Sequence, residues 1–291
     1  MSSAAAGTAT GPMVVVAVDQ HETPPLIVDG LAHKMVPGVG RAATALAKWG
    51  PIRRSIIAAT EKKIPGLWAS MLCRKRYIDD NLLKACHDRI DAVVILGAGF
   101  DTRAYRLPLP AEVPVYEVDL PANVRAKQNR LTKIYGSAPQ AVTLVGIDFE
   151  TQNLADVLAQ HGYRGGRTFF VWEAVTQYLT EVAVRETFEF LANAQPGSRL
   201  VFTYIRKDFL DGTNTYGGDA AYQEFVVRRQ LWHFGLMPED VTGFLATYGW
   251  LEAEQVGADE LTSRYVTPSA RQLRVSDIER SVLAVKPDSR P

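Results

Sequence analysis

The sequence predicts a doubly wound α/β domain with a mostly parallel sheet, and two observations lead to that prediction. Short runs of β-branched residues recur along the middle of the chain, the first being Ala92–Leu96, as expected of strands that are buried on both faces. Helix-like stretches such as 122–134 and 181–194 separate these runs. Strands that alternate with helices form βαβ units, and right-handed crossovers between them give a doubly wound fold.

Length and composition fit one large globular domain. The chain has 291 residues, of which 47% are hydrophobic and 22% charged. Lys and Arg together number 32, as do Asp and Glu, so the formal charge is zero and lacks the excess of basic residues typical of nucleic-acid binding. No stretch approaches the ~20 apolar residues of a membrane span. We therefore expect neither a nucleic acid nor a membrane as a partner.

The amino-terminal residues and the two cysteines predict a flexible tail and a reducing compartment. Residues 1–19 are small and polar up to Pro12, and the apolar run that follows is cut short by Asp19, which favours a flexible tail. Cys73 and Cys86 have neither zinc-ligand nor redox spacing, and nothing in the sequence indicates export. We expect both to be buried thiols of a cytoplasmic protein.

The remaining chain, 20–291, is predicted to form a single domain in four consecutive parts. Residues 20–90 form a helical extension punctuated by Gly and Pro, and residues 91–205 form a sheet suited to binding a cofactor. Residues 206–240 are too long for a routine connection and predict a lid or substrate-binding insertion. Residues 241–291 complete the sheet, with an antiparallel strand near the end. The strands after the first are predicted at 113–119, 141–148, 168–173, 199–205, 250–256 and 278–285.

Glycine and acidic residues at the carboxyl ends of these strands predict the ligand site, because doubly wound proteins bind ligands there. The turn Gly97-Ala98-Gly99 follows the first strand and lets a ligand approach the backbone closely. Asp119 ends the second strand, where a carboxylate accepts hydrogen bonds from an adenosine ribose. Asp148 ends the third strand and is suited to an adenine amino group, with Phe149 packing on the ring. The sequence therefore predicts an adenosine pocket.

The turn after the first strand decides between adenosine cofactors. In a dinucleotide-binding G-x-G-x-x-G turn the third glycine would stand at Thr102, and Asp101 would repel the phosphates of NAD. A cofactor with a sulfonium and an amino group tolerates this acidic turn, and its carboxylate needs a cation such as Arg74 or Arg76. These residues favour S-adenosylmethionine. The alternative to cofactor binding is a purely structural role, in which the acidic residues cap helices and the arginines face solvent on a helix.

The segment Val94–Leu107, with the sequence VILGAGFDTRAYRL, resembles the hallmark of the leucine carboxyl methyltransferase family and its bacterial relatives. The resemblance implies a class I, Rossmann-like methyltransferase fold with S-adenosyl-L-methionine as cofactor. The chain departs from the family pattern at Gly30, where proline is usual, and at Ala174, where glycine is usual. Further similar segments are Asp29–Ala32, Arg74–Asp80, Tyr116–Pro121, Gly146–Phe149 and Glu173–Leu179.

Carried over position by position, the resemblance assigns parts of the cofactor to particular residues. The glycine turn and Glu173 would border the methionine part, Asp119 the ribose, and Asp148 with Phe149 the adenine. Either Arg74 or Arg76 would hold the cofactor carboxylate. The full predicted set is Arg74, Arg76, Gly97, Ala98, Gly99, Asp101, Asp119, Leu120, Asp148, Phe149 and Glu173.

The predicted activity is an S-adenosyl-L-methionine-dependent O-methyltransferase that acts on a carboxylate or hydroxyl group of a small, secondary-metabolite-like molecule. A carboxylate needs no base, whereas a hydroxyl benefits from one, and His233, Tyr204 and Tyr178 are the candidates. Simple packing in the pocket wall is the alternative for each of them. The histidines form no metal-spaced set, so no metal is expected. Other functions that fit are a protein C-terminal carboxyl methyltransferase, an NAD-linked oxidoreductase and a catalytically silent cofactor-binding protein.

The insertion 206–240 is the predicted source of contacts with the acceptor. Its aromatic residues either line an apolar acceptor pocket or anchor the insertion to the core. Its basic residues either bind an acceptor carboxylate or face solvent. The aromatic residues are Tyr216, Tyr222, Phe225, Trp232 and Phe234, and the basic ones are Arg206, Lys207, Arg228 and Arg229.

Overall fold

A computed structural model describes residues 10–137, 141–149 and 151–288 of the chain. Within these residues, eight strands form one mixed sheet. Strands β1 to β5 are parallel, as predicted, and the predicted fold class is confirmed. In chain order the strands are β1 Ala92–Leu96, β2 Val115–Asp119, β3 Val142–Gly146, β4 Thr168–Trp172, β5 Arg199–Arg206, β6 Gly235–Leu236, β7 Leu251–Val256 and β8 Glu279–Val285.

The strand order β3-β2-β1-β4-β5-β8-β7 determines where a ligand site can form. The chain winds outward from β1 to β3 and then returns to β4 on the other side of β1, which leaves a crevice at the carboxyl ends of β1 and β4. Strand β8 is antiparallel to both β5 and β7, so its amino end lies at this same edge. The two-residue strand β6 pairs with β5 and was not predicted, because two residues carry no periodic pattern.

Helices cover both faces of the sheet. One face packs on the long α5 and on α1, and the other on α9 and α12. Short 3₁₀ turns occur at Thr176–Tyr178, Pro238–Asp240 and Thr267–Ser269, and π-helical turns at Tyr222–Arg228 and Thr262–Val266. The helices are α1 Thr10–Asp19, α2 Ala32–Met35, α3 Gly38–Leu46, α4 Gly50–Lys63, α5 Leu67–His87, α6 Arg103–Arg106, α7 Pro121–Tyr135, α8 Leu154–Gln160, α9 Glu181–Ala192, α10 Lys207–Leu210, α11 Asp219–Ala221, α12 Val241–Thr247 and α13 Ala258–Leu261.

Local sequence signals account for the limits of the helices that flank the sheet. Helix α7 begins at Pro121, whose missing N–H is no loss in a first turn, and it ends before Gly136, which has a φ of +82°. The Thr180 hydroxyl caps α9 by accepting a hydrogen bond from Ala183 N at 3.2 Å. Among the described helices, none has both the length and the apolarity needed to cross a bilayer.

The predicted flexible tail 1–19 is wrong for residues 10–19, which form α1. Five of its residues between Met13 and Val18 are at most 5% exposed and belong to the core. Asp19 does not end this burial, because Leu26 N and the Arg271 guanidinium both donate hydrogen bonds to its carboxylate, at 2.8 and 2.7 Å. The apolar run therefore packs as a helix instead of fraying. Residues 1–9 lie outside the described residues.

The turn after β1 provides a test of close packing. Gly97 has a φ of +68°, and a Cβ added there would lie 2.2 Å from Val175 Cγ2. We expect Gly97→Ala to lower the free energy of unfolding by about 1–3 kcal/mol more than Gly136→Ala does. Gly136 is the matched control because its φ is also positive but an added Cβ would meet nothing within 4 Å. Urea unfolding measures both, and equal effects would mean that Val175 does not restrict the turn.

Candidate functional site

A cavity of about 410 Å³ opens at the carboxyl edge of the sheet, next to the crevice between β1 and β4. One side of it is formed by α5 and the beginning of α1, and the other by the insertion 206–240. The turn after β1, the segment after β4 and the beginning of β8 form the rest of the lining. The cavity thus lies where the sequence predicts the ligand site.

The turn after β1 is tied directly to the end of β2. Gly97 N and Ala98 N both donate to Val118 O, at 2.7 and 3.0 Å. Gly99 N donates to Asp119 Oδ2 at 2.5 Å. All three turn residues and Asp119 line the cavity, as predicted. The backbone glycines and the carboxylate therefore form one rigid surface.

Asp119 is the acidic side chain on this surface, and it is 7% exposed. Its Oδ1 accepts hydrogen bonds from Leu120 N at 2.6 Å and from Asn123 Nδ2 at 2.7 Å. A carboxylate has about four acceptor positions, and three are filled by Gly99, Leu120 and Asn123. The remaining position on Oδ2 is suited to a ligand hydroxyl. The Leu120 side chain is not among the described lining residues, so its contribution comes from its backbone.

The adjacent part of the lining belongs to a cluster of buried charges, of which Arg74, Lys75, Asp101 and Glu173 line the cavity. The Arg103 side chain is 1% exposed and contacts Asp101, Asp79 at 2.7 Å and Glu173 at 2.8 Å. Glu173 also pairs with Arg74 at 2.9 Å and with Lys75 at 3.1 Å. Burial alone would raise the pKa of Glu173, but the charges of Lys75, Arg103 and Arg74 more than offset this and hold its pKa well below the ordinary value of 4.5.

This pairing predicts the acid sensitivity of the fold. A carboxylate with a lowered pKa in the folded state stabilises the protein fully above its unfolded pKa, and this contribution is lost as the pH falls through the folded pKa. We therefore expect Glu173→Gln to lower the free energy of unfolding strongly at pH 7, with a difference from wild type that shrinks below a pH of about 4.5. Urea unfolding at a series of pH values measures this. A difference that does not change with pH would contradict the assigned ionisation of Glu173.

The structure selects Arg74 over Arg76 as the cation at the cavity. Arg74 lines the cavity, whereas Arg76 is exposed, donates to Leu26 O at 3.1 Å and lies over the Tyr265 ring. Lys75, which was not predicted, lines the cavity beside Arg74. Residues two apart point to nearly opposite sides of a helix, whereas adjacent residues are about 100° apart. Helical geometry thus predicts that Lys75, and not Arg76, points to the same side of the helix as Arg74.

The residues predicted for the adenine lie apart from this cavity. Asp148 and Phe149 follow β3 and are not among the described lining residues. Phe149 is 6% exposed and packs in the core beside Leu154 and Val157, which disfavours a ring-stacking role. Asp148 is partly exposed, and its N–H donates to Gln152 Oε1 at 3.0 Å. The adenine role of Asp148 stays a prediction.

Only one of the three predicted bases lines the cavity, namely Tyr178. Tyr204 is fully buried in the core on the other side of β5, and its hydroxyl donates to Gln255 Oε1. His233 is exposed, and its backbone N–H donates to Gln177 O at 2.7 Å. Neither Tyr204 nor His233 is therefore among the residues placed to act on a ligand in the cavity. The sequence did not reveal this, because it does not show which face of a strand points to the cavity or where a side chain of an irregular segment points.

The insertion supports both sequence interpretations, each for different residues. Phe225 and Trp232 line the cavity with rings stacked 4.8 Å apart, and Arg229 lines it with a side chain that is 39% exposed. Tyr216 and Tyr222 instead anchor the insertion against Phe209 and Ile278, with a bond from the Tyr216 hydroxyl to Asp208. Phe234 is buried in the core, and Arg206 pairs with Asp208. Neither of them, nor Lys207 or Arg228, is among the described lining residues.

Two residues beyond the expected set complete the polar lining. Glu279 begins β8 and pairs with Arg74, and Gln177 lies in the 3₁₀ turn after β4. The antiparallel direction of β8 is the signal that could have identified Glu279, because it places the beginning of that strand at the carboxyl edge of the parallel ones. No comparable signal points to Gln177.

Three buried polar atoms of the lining have no hydrogen-bond partner among the described residues. They are the oxygens Gln177 Oε1 and Glu279 Oε1 and the indole nitrogen Trp232 Nε1. Unpartnered buried atoms also occur in the core, at Trp68 Nε1 and Trp172 Nε1, so this property is not specific to the cavity. Within the described part of the chain, no group of three His, Cys, Asp or Glu side chains could hold a metal ion.

Position Ala174 explains why the family pattern has glycine after the glutamate. Ala174 has a φ of +55°, the left-handed region that favours glycine. Its N–H donates to Thr203 Oγ1 at 2.8 Å, which holds this conformation in place beside Glu173. Alanine therefore occupies the same backbone position at the expense of some strain.

Comparisons with known proteins identify the family of the chain. The sequence pattern described as "Leucine carboxyl methyltransferase" matches residues 9–192. A provisionally named S-adenosyl-L-methionine-dependent methyltransferase of Mycobacterium avium (strain 104) is 37% identical over 139 residues, covering 46% of each chain. A second, from the same strain, is 30% identical over 206 residues, covering 70% of this chain and 68% of the relative. The first of these relatives, and a further one from Mycolicibacterium paratuberculosis, are matched over only 46% and 51% of their own length.

A solved structure supports the fold. A Thermobifida fusca protein, provisionally named a methyltransferase, aligns with a TM-score of 0.56 at 16% identity, over 87% of this chain and 96% of its own. The family predicted from the sequence is confirmed, and the names of the relatives carry the methyltransferase class and the S-adenosyl-L-methionine cofactor. Since the matched pattern spans more than half of the sequence, the chain belongs to the leucine carboxyl methyltransferase family.

Proposed function

We propose that this protein transfers the methyl group of S-adenosyl-L-methionine to an oxygen atom of a small molecule, with a carboxylate as the favoured acceptor. The observation that carries the proposal is the continuity of one cavity. The same cavity joins the glycine turn and Asp119, which suit the cofactor, to an apolar part between Ile205, Phe225 and Ile278, which suits an acceptor.

The residues of the cavity fit the cofactor. Arg74 and Lys75 line the cavity as cations for its carboxylate, in addition to their ion pairs with Glu173, and Glu279, which pairs with Arg74, supplies a carboxylate for its amino group. Asp119 has an acceptor position left for a ribose hydroxyl. When bound, the sulfonium supplies an already activated methyl group for in-line displacement. Holding an acceptor oxygen in line can contribute about 7–11 kcal/mol, so positioning is the main task of this chain.

The lining favours a carboxylate over a hydroxyl acceptor. None of the described lining residues is a histidine, and Asp101 and Glu173 are bound by arginine or lysine. Tyr178 is therefore the remaining predicted base for a hydroxyl acceptor. A carboxylate needs no base and is also complementary to Arg229 at the edge of the cavity.

One alternative from the sequence, NAD binding, is disfavoured as a function of this site. The carboxylate of Asp101 is neutralised by Arg103, so it repels phosphates less than the sequence suggested. Thr102 still stands where a dinucleotide-binding turn needs glycine, and its hydroxyl is bound to Asp29 at 2.5 Å. The protein C-terminal carboxyl methyltransferase differs only in its acceptor, so the transfer assay decides between the two. The location of the enzyme in the cytoplasm is part of the proposal, supported by the free thiols of Cys73 and Cys86.

Methyl transfer with labelled S-adenosyl-L-methionine tests the proposal on matched sets of carboxylated and hydroxylated metabolites. We expect label in a methyl ester, and we expect Tyr178→Phe to retain the rate on that acceptor. Transfer to a hydroxyl with a loss of about 100-fold or more in Tyr178→Phe would identify Tyr178 as a base and contradict the carboxylate assignment. Label that enters only a protein C-terminus would contradict the small-molecule assignment.

A further inference from the structure

Charge is distributed unevenly along the chain. Residues 1–79 contain ten Lys or Arg and five Asp or Glu, whereas residues 80–291 contain 22 and 27, so the two parts carry formal charges of +5 and −5. The zero charge of the whole chain, on which the expectation of no membrane partner rests, conceals this separation. A basic part of this kind indicates a polyanionic partner.

Burial makes the asymmetry larger at the surface than in the sequence. Among the described residues 10–79, no Asp or Glu is exposed. Three of the five acidic residues there are buried, Glu22 pairs with Arg53 at 2.5 Å, and Glu61 accepts hydrogen bonds from two backbone N–H groups. Most of the cations, in contrast, face solvent. The exposed ones are Lys34, Arg41, Lys48, Arg54, Lys62, Lys63 and Arg76.

Helix α4 has one side that is cationic and flat. Ile56 and Ile57, on its other side, pack against the core. The exposed side carries two cations with only small side chains between them, so a flat partner can approach both. Its residues, which lie three or four apart along the helix, are Pro51, Arg54, Ser55, Ala58 and Lys62.

Two large apolar side chains are exposed where α3 meets α4. Leu46 ends α3 and is 47% exposed, and Trp49 directly precedes α4 and is 58% exposed. Arg53 fixes this corner by donating to Ala47 O at 3.1 Å. Tryptophan beside lysine and arginine is typical of surfaces that lie at a membrane interface. A nucleic acid would offer phosphates to the cations but little apolar surface to Leu46.

We propose that the surface formed by α2, α3 and α4 binds a lipid bilayer that contains anionic phospholipids. Its cations contact the headgroups, and Leu46 and Trp49 enter the interfacial layer. Directly after Lys63, Ile64 packs with Ile205 and Ile278 and lines the cavity, which links this surface to the apolar part of the cavity.

Co-sedimentation of the full chain with vesicles tests the proposal, using phosphatidylcholine alone or with about 30% phosphatidylglycerol at low salt. We expect binding to the anionic vesicles only. The triple variant Arg54→Ala, Lys62→Ala, Lys63→Ala should bind them about 30- to 150-fold more weakly, because each basic residue near such a surface contributes about a fivefold factor.

Tryptophan emission tests the entry of the apolar corner into the bilayer. Among the described residues only one tryptophan, Trp49, is exposed. Brominated lipid in the anionic vesicles should therefore quench part of the emission of wild type, and this part should be missing in Trp49→Phe.

A second triple variant, Lys84→Ala, Arg164→Ala, Arg167→Ala, is the matched control. It removes the same charge from exposed residues outside 10–79 and should bind like wild type. Unchanged urea midpoints show that both triple variants are folded. The proposal is overturned if wild type does not bind anionic vesicles, if both triple variants lose binding equally, or if brominated lipid does not quench Trp49. Binding of duplex DNA in place of vesicles, lost in the first triple variant, would assign the surface to a nucleic acid. The methyl transfer stands or falls separately, in the assay with labelled cofactor.

Discussion

Arg103→Ala is expected to lower the free energy of unfolding by about 3–5 kcal/mol, because removing one partner of a buried ion pair leaves uncompensated charge behind. The Arg103 side chain is 1% exposed and contacts the carboxylates of Asp79, Asp101 and Glu173. Asp101 would lose its arginine entirely, and Asp79 would keep only Arg106. Urea unfolding at pH 7, or the loss of soluble folded protein, measures the effect.

Arg185→Ala is the matched control for Arg103→Ala. Arg185 pairs with Glu181 across one helical turn, but both side chains are largely exposed, at 47% and 62%. Exposed pairs of this kind contribute at most about 1 kcal/mol. If the two variants unfold at similar urea concentrations, the charge cluster around Arg103 is not the main stabilising feature of this edge of the sheet.

Asp119→Ala is expected to weaken S-adenosylhomocysteine binding by about 10- to 150-fold, equivalent to about 1.5–3 kcal/mol for a hydrogen bond to a charged group. The substitution removes the acceptor position left for the ribose and also the anchor for Gly99 N. Both losses act on the same ligand surface. Titration calorimetry of wild type and variant measures the change.

The exposed Asp259→Ala removes a carboxylate far from any described contact of the cavity and should bind like wild type. Circular dichroism and the urea midpoint show whether Asp119→Ala still folds. Unchanged affinity in a folded Asp119→Ala would mean that the ribose does not meet this carboxylate. The assignment of the glycine turn to the cofactor would then lose its main support.

The strands, and the lining residues that follow β1 and β2, were predictable from the sequence. Each sequence segment that was predicted to be a buried strand forms a strand. Gly97 and Asp119 lie together because the carboxyl ends of parallel strands share one edge of the sheet. The directions of side chains on helices were harder to predict. Arg74 and Arg76 looked equivalent in a motif, but only the three-dimensional direction of each side chain separates them.

Contacts between distant segments were not predictable. The salt bridge of Arg74 with Glu279 joins residues that meet only because β8 inserts between β5 and β7. The burial of Asp19 likewise depends on Arg271, from the other end of the chain. Side chains of the insertion, such as Trp232, follow an irregular backbone that no periodicity describes. Local patterns thus predicted the lining residues at the ends of β1 and β2, while the lining residues of the insertion needed the tertiary structure.

The most direct test of the central claim is a calorimetric titration of the purified protein with S-adenosyl-L-methionine and, separately, with NAD. The structure predicts saturable binding of one S-adenosyl-L-methionine per chain, weakened in Asp119→Ala, and much weaker binding of NAD. Tighter binding of NAD than of S-adenosyl-L-methionine would contradict the assignment of this cavity to methyl transfer.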